Sequence, residues 1–528
     1  MISPTPIAFS IWLALLGYQI SVFTLSRARR SHQHVTKDNN MIISKLPDDV
    51  LISILARIPI KDAVRTSILS KRWKNLFKLV PDVDLRCDYL VGHNYTRNII
   101  FDILYRYCGG YLIVGRHNST RCPHNLMFFD IVHGYLYSRR GSNIRRLVFC
   151  CCLTKSYADR FEAIIRYLGT TASIRKLAVH CCCSLRSCTR SFSGRLLCET
   201  PSLSSLELNV SILQPNLKIS ESNKYSLQII RLSNVTLREG ALDCILSNCL
   251  ILHSLRIDYC EFSCSKLCFR GPNLRLKHLN IEECRGGVEE IEFYASNLIT
   301  FEFQNRKVVK FIFDHVPHLQ SIYLGFFYRN IIHYVRARLP MLLPPHQPKS
   351  LTLASASDVY QISRRTRTNT FSNLRQLRLR LWYTAYVNLL LVMIPFLQSC
   401  PCLEEFHLDT ESVECNGRKL KRPPVAVIHS ELKKVEITGF CGSRNEIEFA
   451  LHILKSAPRL EQMQISRCPK WHIGFVRWME REDKTPWSQQ TRKKILKQLQ
   501  SQALSKTARV IIQHVPKYDD TWSRYETD

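Results

Sequence analysis

The chain of 528 residues is too long for one ordinary compact core, so we expect several domains or an elongated repeat array. Apolar residues make up 45% of the sequence and charged residues 22%, which argues against wholesale disorder. The 74 Lys and Arg against 43 Asp and Glu give a net charge of +31, which favours acidic partners or nucleic acid without identifying either.

Residues 1–40 form an apolar leader followed by a polar linker. The run from Ile7 to Leu25 is long enough to span a bilayer, and positive charge follows it between Arg27 and Arg30. A signal peptide carries its charge before the apolar run, so this order is that of an anchor with a cytoplasmic C-terminal side. The alternative is a non-native leader from a wrongly assigned start, with Met41 opening the domain-forming chain.

Helical periodicity begins shortly after Met41 and predicts a compact unit of three short helices. The apolar face of the first helix, which Pro59 ends, consists of Val50, Leu51, Ile54, Leu55 and Ile58. The second helix is predicted to direct inward Ala63, Val64, Ser67 and Ile68, and the third to carry Trp73, Leu76 and Phe77. At about 45 residues the unit is too small to be very stable alone.

These residues resemble the F-box of the plant type. The resemblance spans roughly Ile43 to Arg86 and depends on two stretches, Leu46-Pro47-Asp48-Asp49-Val50-Leu51 and Ser70-Lys71-Arg72-Trp73. Phe77 stands where the plant family often has Trp, which keeps an aromatic ring. We therefore assign residues 41–87 to an F-box.

The resemblance implies that this unit docks on the Skp-type adaptor of a cullin scaffold. The residues implied in adaptor binding are Leu46, Pro47, Leu51, Ile54, Leu55, Ile58 and Pro59, with Trp73 supporting the third helix. The alternative is that most of these apolar residues pack the helices together and touch no partner.

After a connecting segment at residues 88–140, a frame of the form apolar-x-x-apolar-x-apolar recurs with a mean step of about 26 residues, inside the range of leucine-rich repeats. The frames start at Ile144, Ile174, Leu203, Leu227, Leu252, Leu276, Leu298, Leu319, Pro348, Leu374, Leu403, Leu432 and Leu460. The frame at Pro348 is weak. The predicted fold is α/β, a small all-helical F-box followed by a leucine-rich-repeat solenoid whose repeats occupy residues 141–424.

One residue of each predicted strand, between its last two apolar positions, should point away from the core and form an inner face. This row reads Glu207, Arg231, Arg256, Asn280, Glu302, Tyr323, Thr352, Arg378, His407, Glu436 and Gln464. Its mixed charge favours a protein partner, because the carboxylates would repel nucleic acid. The candidate substrate face consists of Arg231, Arg256, Tyr323, Arg378 and His407; alternatively, each of them is a solvated strand position.

The 22 cysteines do not show the paired spacing of a zinc site, and we expect no metal. Several fall three residues after the last strand apolar position, where leucine-rich repeats favour Asn or Cys. These are Cys152, Cys182, Cys260, Cys284 and Cys468. Buried single thiols suit a reducing compartment, so we expect the nucleus or cytoplasm, or a membrane-anchored form if residues 7–25 are an anchor.

Residues 425–470 are similar to the FBD region that follows the repeats in many plant F-box proteins. The resemblance depends on Gly439-Phe440 and on the run from Leu454 to Pro458. Residues 471–528 are assigned to a basic tail with a helical stretch near Arg492, to which we attach no function.

No catalytic or phosphate-binding motif is found, so we expect a non-enzymatic protein without a cofactor. The resemblance implies the substrate-recognition subunit of a Skp-cullin-F-box ubiquitin ligase, with an unknown protein substrate bound to the repeats. The alternative is a repeat-based protein- or nucleic-acid-binding protein without a ligase role. An extracellular receptor, suggested by the leader, the cysteines and possible glycosylation sites, is disfavoured because the F-box partner is cytosolic and nuclear.

Overall fold

The computed structural model divides the chain into two units, Met1–Val80 and Pro81–Asp528. None of the helices it describes is both long and apolar enough to cross a membrane. The anchor predicted at residues 7–25 lies outside the described residues. The structure describes residues 46–87, 90, 125–139, 143–151, 155–171, 174–181, 191–192, 200, 202–209, 212–213, 226–271, 274–307, 309–326, 348–355, 371–382, 389–411, 428–474, 477–480 and 485–514.

The described part of the first unit is helical. Its elements are α1 (Asp48–Leu55), α2 (Ile60–Arg65), a 3₁₀ turn (Thr66–Ile68), α3 (Trp73–Leu76) and a second 3₁₀ turn (Phe77–Leu79). Proline precedes both α1 and α2, where its fixed φ suits a helix start and its missing N–H costs nothing. The predicted inward positions Ala63, Trp73, Leu76 and Phe77 are buried.

The second unit contains short strands with helices between some of them. In chain order they are β1 (Asp82–Arg86), α4 (Asn125–Ser138), β2 (Arg146–Cys151), α5 (Lys155–Thr171), β3 (Lys176–Cys181), β4 (Ser191–Phe192), β5 (Ser205–Asn209), β6 (Ile212–Leu213), β7 (Ile229–Ser233), β8 (Thr236–Leu237), α6 (Ala241–Asn248), β9 (Ser254–Asp258), β10 (Glu261–Phe262), β11 (Lys266–Arg270), β12 (His278–Glu282), β13 (Arg285–Gly286), β14 (Glu290–Tyr294), β15 (Thr300–Asn305), β16 (Lys310–His315), β17 (Ser321–Phe326), β18 (Ser350–Ser355), β19 (Gln376–Trp382), α7 (Leu389–Gln398), β20 (Glu405–Glu411), β21 (Lys434–Thr438), α8 (Arg444–Ser456), β22 (Gln462–Ser466), β23 (Lys470–His472), β24 (Trp478–Glu480), α9 (Gln489–Gln500) and β25 (Arg509–Gln513).

Fifteen of the described strands form one sheet in the order β1-β2-β3-β5-β7-β9-β12-β15-β17-β18-β19-β20-β21-β22-β25. Neighbouring strands are parallel, as in a solenoid that places one strand of each repeat beside the next. Every predicted frame starts two residues before one of these strands, including the weak frame at Pro348, which precedes β18. The α/β fold class with its leucine-rich-repeat array is confirmed.

The core lies behind this sheet. Whether helices or strands enclose it there depends on the length of the repeat. The steps between Leu276, Leu298 and Leu319 are the shortest of the array, and here strands take the place of helices. The resulting three-stranded sheet, β11-β14-β16, faces the main sheet across stacked phenylalanines. Phe293, for example, packs edge-on against Phe301 at 4.7 Å between ring centroids and stacks on its neighbours in β11 and β16.

The predicted buried thiols are confirmed where the structure describes them. Cys260, Cys284 and Cys468 are buried, whereas Cys152 and Cys182 lie outside the described residues. Sγ of Cys260 lies 3.4 Å from the carbonyl oxygen of Leu232, one repeat earlier, so the thiol can donate to a carbonyl of the neighbouring strand. Burial raises the pKa of the Cys284 thiol well above its ordinary value, which keeps it protonated.

The described part of the C-terminal segment contains more regular structure than the predicted helical stretch. Residues 471–528, assigned there to a basic tail, include part of a hairpin (β23 and β24), helix α9 and strand β25. β25 pairs with β22 and so adds a last strand to the array, while Ile495 and Leu499 of α9 are buried. The basic residues of α9 lie on the remaining, solvated part of the helix surface.

Candidate protein-binding surfaces

The start of the F-box is held by an arginine that follows α2. Arg72 donates to Oδ1 of Asp48 at 2.7 Å and to the carbonyl oxygen of Leu46 at 2.6 Å. Asp48 and Asp49 occupy the first turn of α1, where carboxylates interact favourably with the helix dipole. The Leu-Pro-Asp-Asp opening and the Ser-Lys-Arg-Trp stretch are therefore brought together in space.

The residues predicted to bind the adaptor divide into two groups. Leu51 and Leu55 are 0% and 1% exposed, so they pack the helices together. The others lie at the surface of the unit, half-buried or exposed: Leu46, Pro47, Ile54, Ile58 and Pro59.

One predicted inward residue is at the surface. Ile68 is 86% exposed, because α2 ends at Arg65 and the chain continues as a 3₁₀ turn, which rotates Ile68 out of the predicted helical face. Leu69 beside it is 52% exposed. Neither residue was predicted to lie at the surface; two adjacent apolar residues at the end of a short turn are the sequence signal for it.

The predicted inner row is continuous across the main sheet. Glu207 pairs with Arg231, Arg231 with Arg256, and the register continues strand by strand to Gln464. A second outward row lies two residues further along each strand; its members include Asp258, Glu282, Gln304, Arg380 and Asp409. Many of these residues are buried, which the sequence analysis did not foresee for an outward face.

Part of the inner face is covered by the two strands of a hairpin, described for residues 470–474 and 477–480. The guanidinium of Arg378 lies over the ring of Trp478 at 4.0 Å from its centroid, and that of Arg380 lies over the ring of Trp471 at 4.5 Å. Both contacts are cation–π interactions. The hairpin comes from the far end of the chain, so periodicity within the repeats carries no signal for it.

The first polar cluster under the hairpin centres on Arg256. Its Nε lies 2.5 Å from Oδ2 of Asp258, and its Nη2 lies 3.1 Å from Oε2 of Glu282. Nε2 of His472, on the hairpin, is 3.2 Å from Oε1 of Glu302, whose other oxygen accepts from Asn280 at 2.6 Å. The side chains of His472 and Glu302 are 6% and 1% exposed, so this contact is sealed from solvent.

The second cluster centres on Glu436. Its Oε2 lies 2.9 Å from Nδ1 of His407 and 3.2 Å from Nη2 of Arg378. Nζ of Lys470, at the start of the hairpin, is 2.6 Å from the other oxygen of Glu436. One buried carboxylate thus joins three strands of the array, β19, β20 and β21, to the hairpin.

The two clusters shift carboxyl pKa values in opposite directions. Burial, together with the charge of Asp258, raises the pKa of Glu282 to about 6 although Arg256 opposes it. Burial would also raise the pKa of Glu436, but the hydrogen bond with His407 and the nearby cations lower it below its ordinary value. Glu436 therefore stays ionised, which suits a structural ion pair.

The structure thus brings together four of the five predicted substrate-face residues. Arg256, Tyr323 and Arg378 contact the hairpin directly, and His407 lies beside them through Glu436. Arg231 is half-buried in the same row, next to Arg256. Among the residues that the structure describes, no group of His, Cys, Asp and Glu has the arrangement of a metal site.

The succession of parallel strands and the preceding helical unit agree with what family models find in this sequence. The model described as the LRR domain of At1g61320/AtMIF1 matches residues 136–519. The chain belongs to this leucine-rich-repeat family. Its F-box is confirmed as well, by a match of the F-box domain model to residues 43–83. The repeat match includes residues 471–519, in accord with the ordered C-terminal strand.

Arabidopsis thaliana contains relatives of this F-box/LRR chain. F-box/LRR-repeat protein 13 is 23% identical over 447 residues, covering 80% of this chain and 89% of that protein. FBD-associated F-box protein At5g22730 is 51% identical over 53 residues, 10% of this chain and 11% of that protein. F-box/FBD/LRR-repeat protein At1g13780 is 40% identical over 65 residues, 12% of this chain and 14% of that protein.

Proposed function

We propose that the protein is the non-catalytic substrate-recognition subunit of a Skp-cullin-F-box ubiquitin ligase. The observation that supports this most is an F-box that leaves Ile68 and Leu69 in solvent. So small a unit has little apolar material to spare, and exposed apolar side chains are best explained by burial against a partner. The proposed partner is the Skp-type adaptor carried by the cullin scaffold.

The proposed adaptor surface combines residues from both ends of the F-box helices. We expect the surface residues Leu46, Pro47, Ile54, Ile58 and Pro59 to join Ile68 and Leu69 in it. Leu51 and Leu55 would support this surface from within, since they are buried among the helices.

The repeats would hold the protein to be marked, and the contribution to ubiquitin transfer would be proximity. Holding a substrate beside a charged enzyme makes the transfer effectively unimolecular, which requires no catalytic residue in the subunit. We propose that residues 425–470, which carry strands β21 and β22, are an FBD region continuing the repeats. The proposed location is the nucleus or cytoplasm, where cullin scaffolds act.

The experiment is a pull-down of the full chain with a purified Skp-type adaptor. Ile68→Asp and the double variant Leu46→Ala/Pro47→Ala should each lose at least about tenfold in affinity, because they place a charge in, or remove apolar area from, the adaptor surface. The matched control is Leu504→Asp, which introduces the same charge at a residue of the repeat unit that is 55% exposed.

Retention by the native chain and by Leu504→Asp, with loss by the F-box variants, would support the adaptor role. Circular dichroism shows whether each variant keeps its fold. No binding by the folded native chain would reject the ligase proposal, as would equal binding by all variants.

A further inference from the structure

The hairpin occupies the inner face as a separate piece. Among the described strands, β23 and β24 pair with each other in a two-stranded antiparallel sheet and with no strand of the main array. Its contacts with the array are mainly through side chains; one backbone contact is between Nη1 of Arg256 and the carbonyl oxygen of Ile473, at 3.4 Å. The hairpin is therefore bound in the way that a peptide is bound, and is not part of the repeat architecture.

The two tryptophans of the hairpin are only half-buried. Trp471 and Trp478 each retain solvent contact while they stack on guanidinium groups of the face, whereas the imidazole of His472 is sealed. In a repeat core the corresponding apolar side chains are sealed completely, as for Phe301 at 0% exposed. Aromatic anchors on arginine and tyrosine, with a polar surround, are typical of protein–protein interfaces.

The face has hydrogen-bonding capacity that the hairpin does not use. Oδ1 of Asp258 and Oδ1 of Asn280 are buried and accept no hydrogen bond, although the two residues are 8% and 3% exposed. A buried acceptor without a donor is costly, and a ligand that supplies one gains that energy. The hairpin is therefore an incomplete occupant, and a better one would bring further N–H donors.

Charge points to the same kind of occupant. The carboxylates under and beside the hairpin outnumber the guanidinium groups there. The carboxylates are Asp258, Glu282, Glu302, Asp409 and Glu436, against Arg256, Arg378 and Arg380. Two basic side chains of the hairpin, Lys470 and His472, each lie next to one of these carboxylates. A basic segment with aromatic side chains is thus complementary to the face.

We propose that this inner face is a docking surface for an extended or hairpin segment of a partner protein that carries aromatic rings beside basic side chains. The hairpin strands β23 and β24 hold the same place in the free chain until such a segment displaces them. The proposal deepens the proposed function, since the partner would be the protein to be marked. The docking itself involves only the repeat unit.

Displacement is opposed by the short connection of the hairpin to the array. Only residues 467–469 separate β22 from β23, so the hairpin competes at an effective concentration in the millimolar range, about that of other short tethers. A free peptide of the same sequence should consequently bind the native chain poorly. It should bind well once the tethered hairpin has lost its own anchors.

The test uses a fluorescein-labelled peptide of residues 469–481 and the full chain in two forms, native and Trp471→Ala/Trp478→Ala. Fluorescence anisotropy should show binding to the double variant at least about tenfold tighter than to the native chain. A peptide in which both tryptophans are alanine should bind neither form. Circular dichroism and thermal melting check the fold and stability of the double variant, and Lys470→Gln/His472→Gln serves as a second hairpin variant.

No peptide binding by either folded hairpin variant would overturn the proposal and make the hairpin a permanent structural plug. Equal binding by the native chain and the variants would also overturn it, since the hairpin would then not compete for the face. The same assay is repeated with Ile68→Asp added. Ile68→Asp alters only the F-box, so the peptide should still bind the hairpin variants that carry it. The docking proposal is thereby tested independently of the adaptor proposal.

Discussion

The imidazole ring of His472 lies nearly parallel to the phenol ring of Tyr323, with 4.0 Å between centroids and 14° between planes. The same imidazole contacts Glu302, a residue 170 positions earlier in the chain. Two adjacent strands of the array are thereby tied to the C-terminal hairpin. Where the hairpin lies on it, the inner face is consequently a closed polar interface.

Arg378 should contribute far more to stability than an arginine in an exposed ion pair. Replacing Arg378 by Ala leaves the buried carboxylate of Glu436 with fewer cations and removes the platform of Trp478, so we expect a loss of about 3 kcal/mol. The control is Arg375→Ala, which breaks an ion pair with Glu404 and should cost under about 1 kcal/mol, because Arg375 is 61% exposed. Urea unfolding measures both, and similar losses would contradict the expectation.

Gly439 should tolerate no side chain. Its φ is +71°, and a Cβ would overlap the carbonyl oxygen of Thr410 on the neighbouring strand. Gly439→Ala should therefore lower the free energy of unfolding by about 3 kcal/mol or more, because both backbone strain and a backbone clash oppose the substitution. The melting temperature should fall accordingly.

The matched control for this change is Gly134→Ala, at an exposed position of α4 where a Cβ meets nothing within 4 Å. Alanine is the better helix former, so this variant should gain about 0.5–1 kcal/mol. Thermal melting of both variants checks the pair, and a destabilising effect of equal size at the two sites would refute the explanation.

Glu283 should make stability fall as pH rises toward 8. Burial, assisted by the charge of Glu282, raises the pKa of Glu283 to about 7, and one of its oxygens accepts no hydrogen bond. A carboxyl whose pKa is higher in the folded chain than its ordinary 4.5 contributes stability that is complete below about pH 4.5 and lost as pH rises through 7. Melting temperatures between pH 5 and 8 should show this loss.

Glu283→Gln should flatten that part of the profile and raise the melting temperature at pH 8. Glu289→Gln, at an exposed position close by, should leave the profile as it is in the native chain. Parallel profiles for the native chain and Glu283→Gln would show that the Glu283 carboxyl does not titrate in this range.

The cysteines should react according to burial. Cys402 is exposed, whereas Cys249 is 0% exposed, and burial, with the nearby Cys244, raises the pKa of the Cys249 thiol to about 12. Since the thiolate is the nucleophile, iodoacetamide at pH 8 should modify Cys402 at least about a hundredfold faster. Peptide mass spectrometry of the folded chain measures this ratio, and comparable rates for the two cysteines would contradict the buried position of Cys249.

The repeats were predictable because their signal is local and recurs many times. An apolar frame of six residues places one strand per repeat, and parallel stacking of the strands follows from the period. The weak frame at Pro348 also corresponds to a strand, β18, which pairs with β17 on one side and with β19 on the other. The F-box was recognisable for a related reason, since many spaced positions agree within one short stretch.

Of the described strands of the main sheet, two were not predicted, because the frame of one lies inside the F-box stretch and that of the other begins with a polar residue. The frame of β1, formed by Val80, Val83 and Leu85, is complete but falls inside the stretch assigned to the F-box. At β25 the polar Thr507 occupies the first frame position, so the repeat was not recognised. Ile68 was misplaced because helical periodicity assumes a continuous helix, and α2 ends three residues earlier.

Only the tertiary structure determined what lies on the inner face. The sequence alone establishes which side chains point out of the sheet, because side chains alternate along a strand. It contains no local pattern that would bring Trp471, His472 and Trp478 back over strands far earlier in the chain. That contact depends on matching charge and aromatic groups, which act between residues distant in sequence and only once the repeats are stacked.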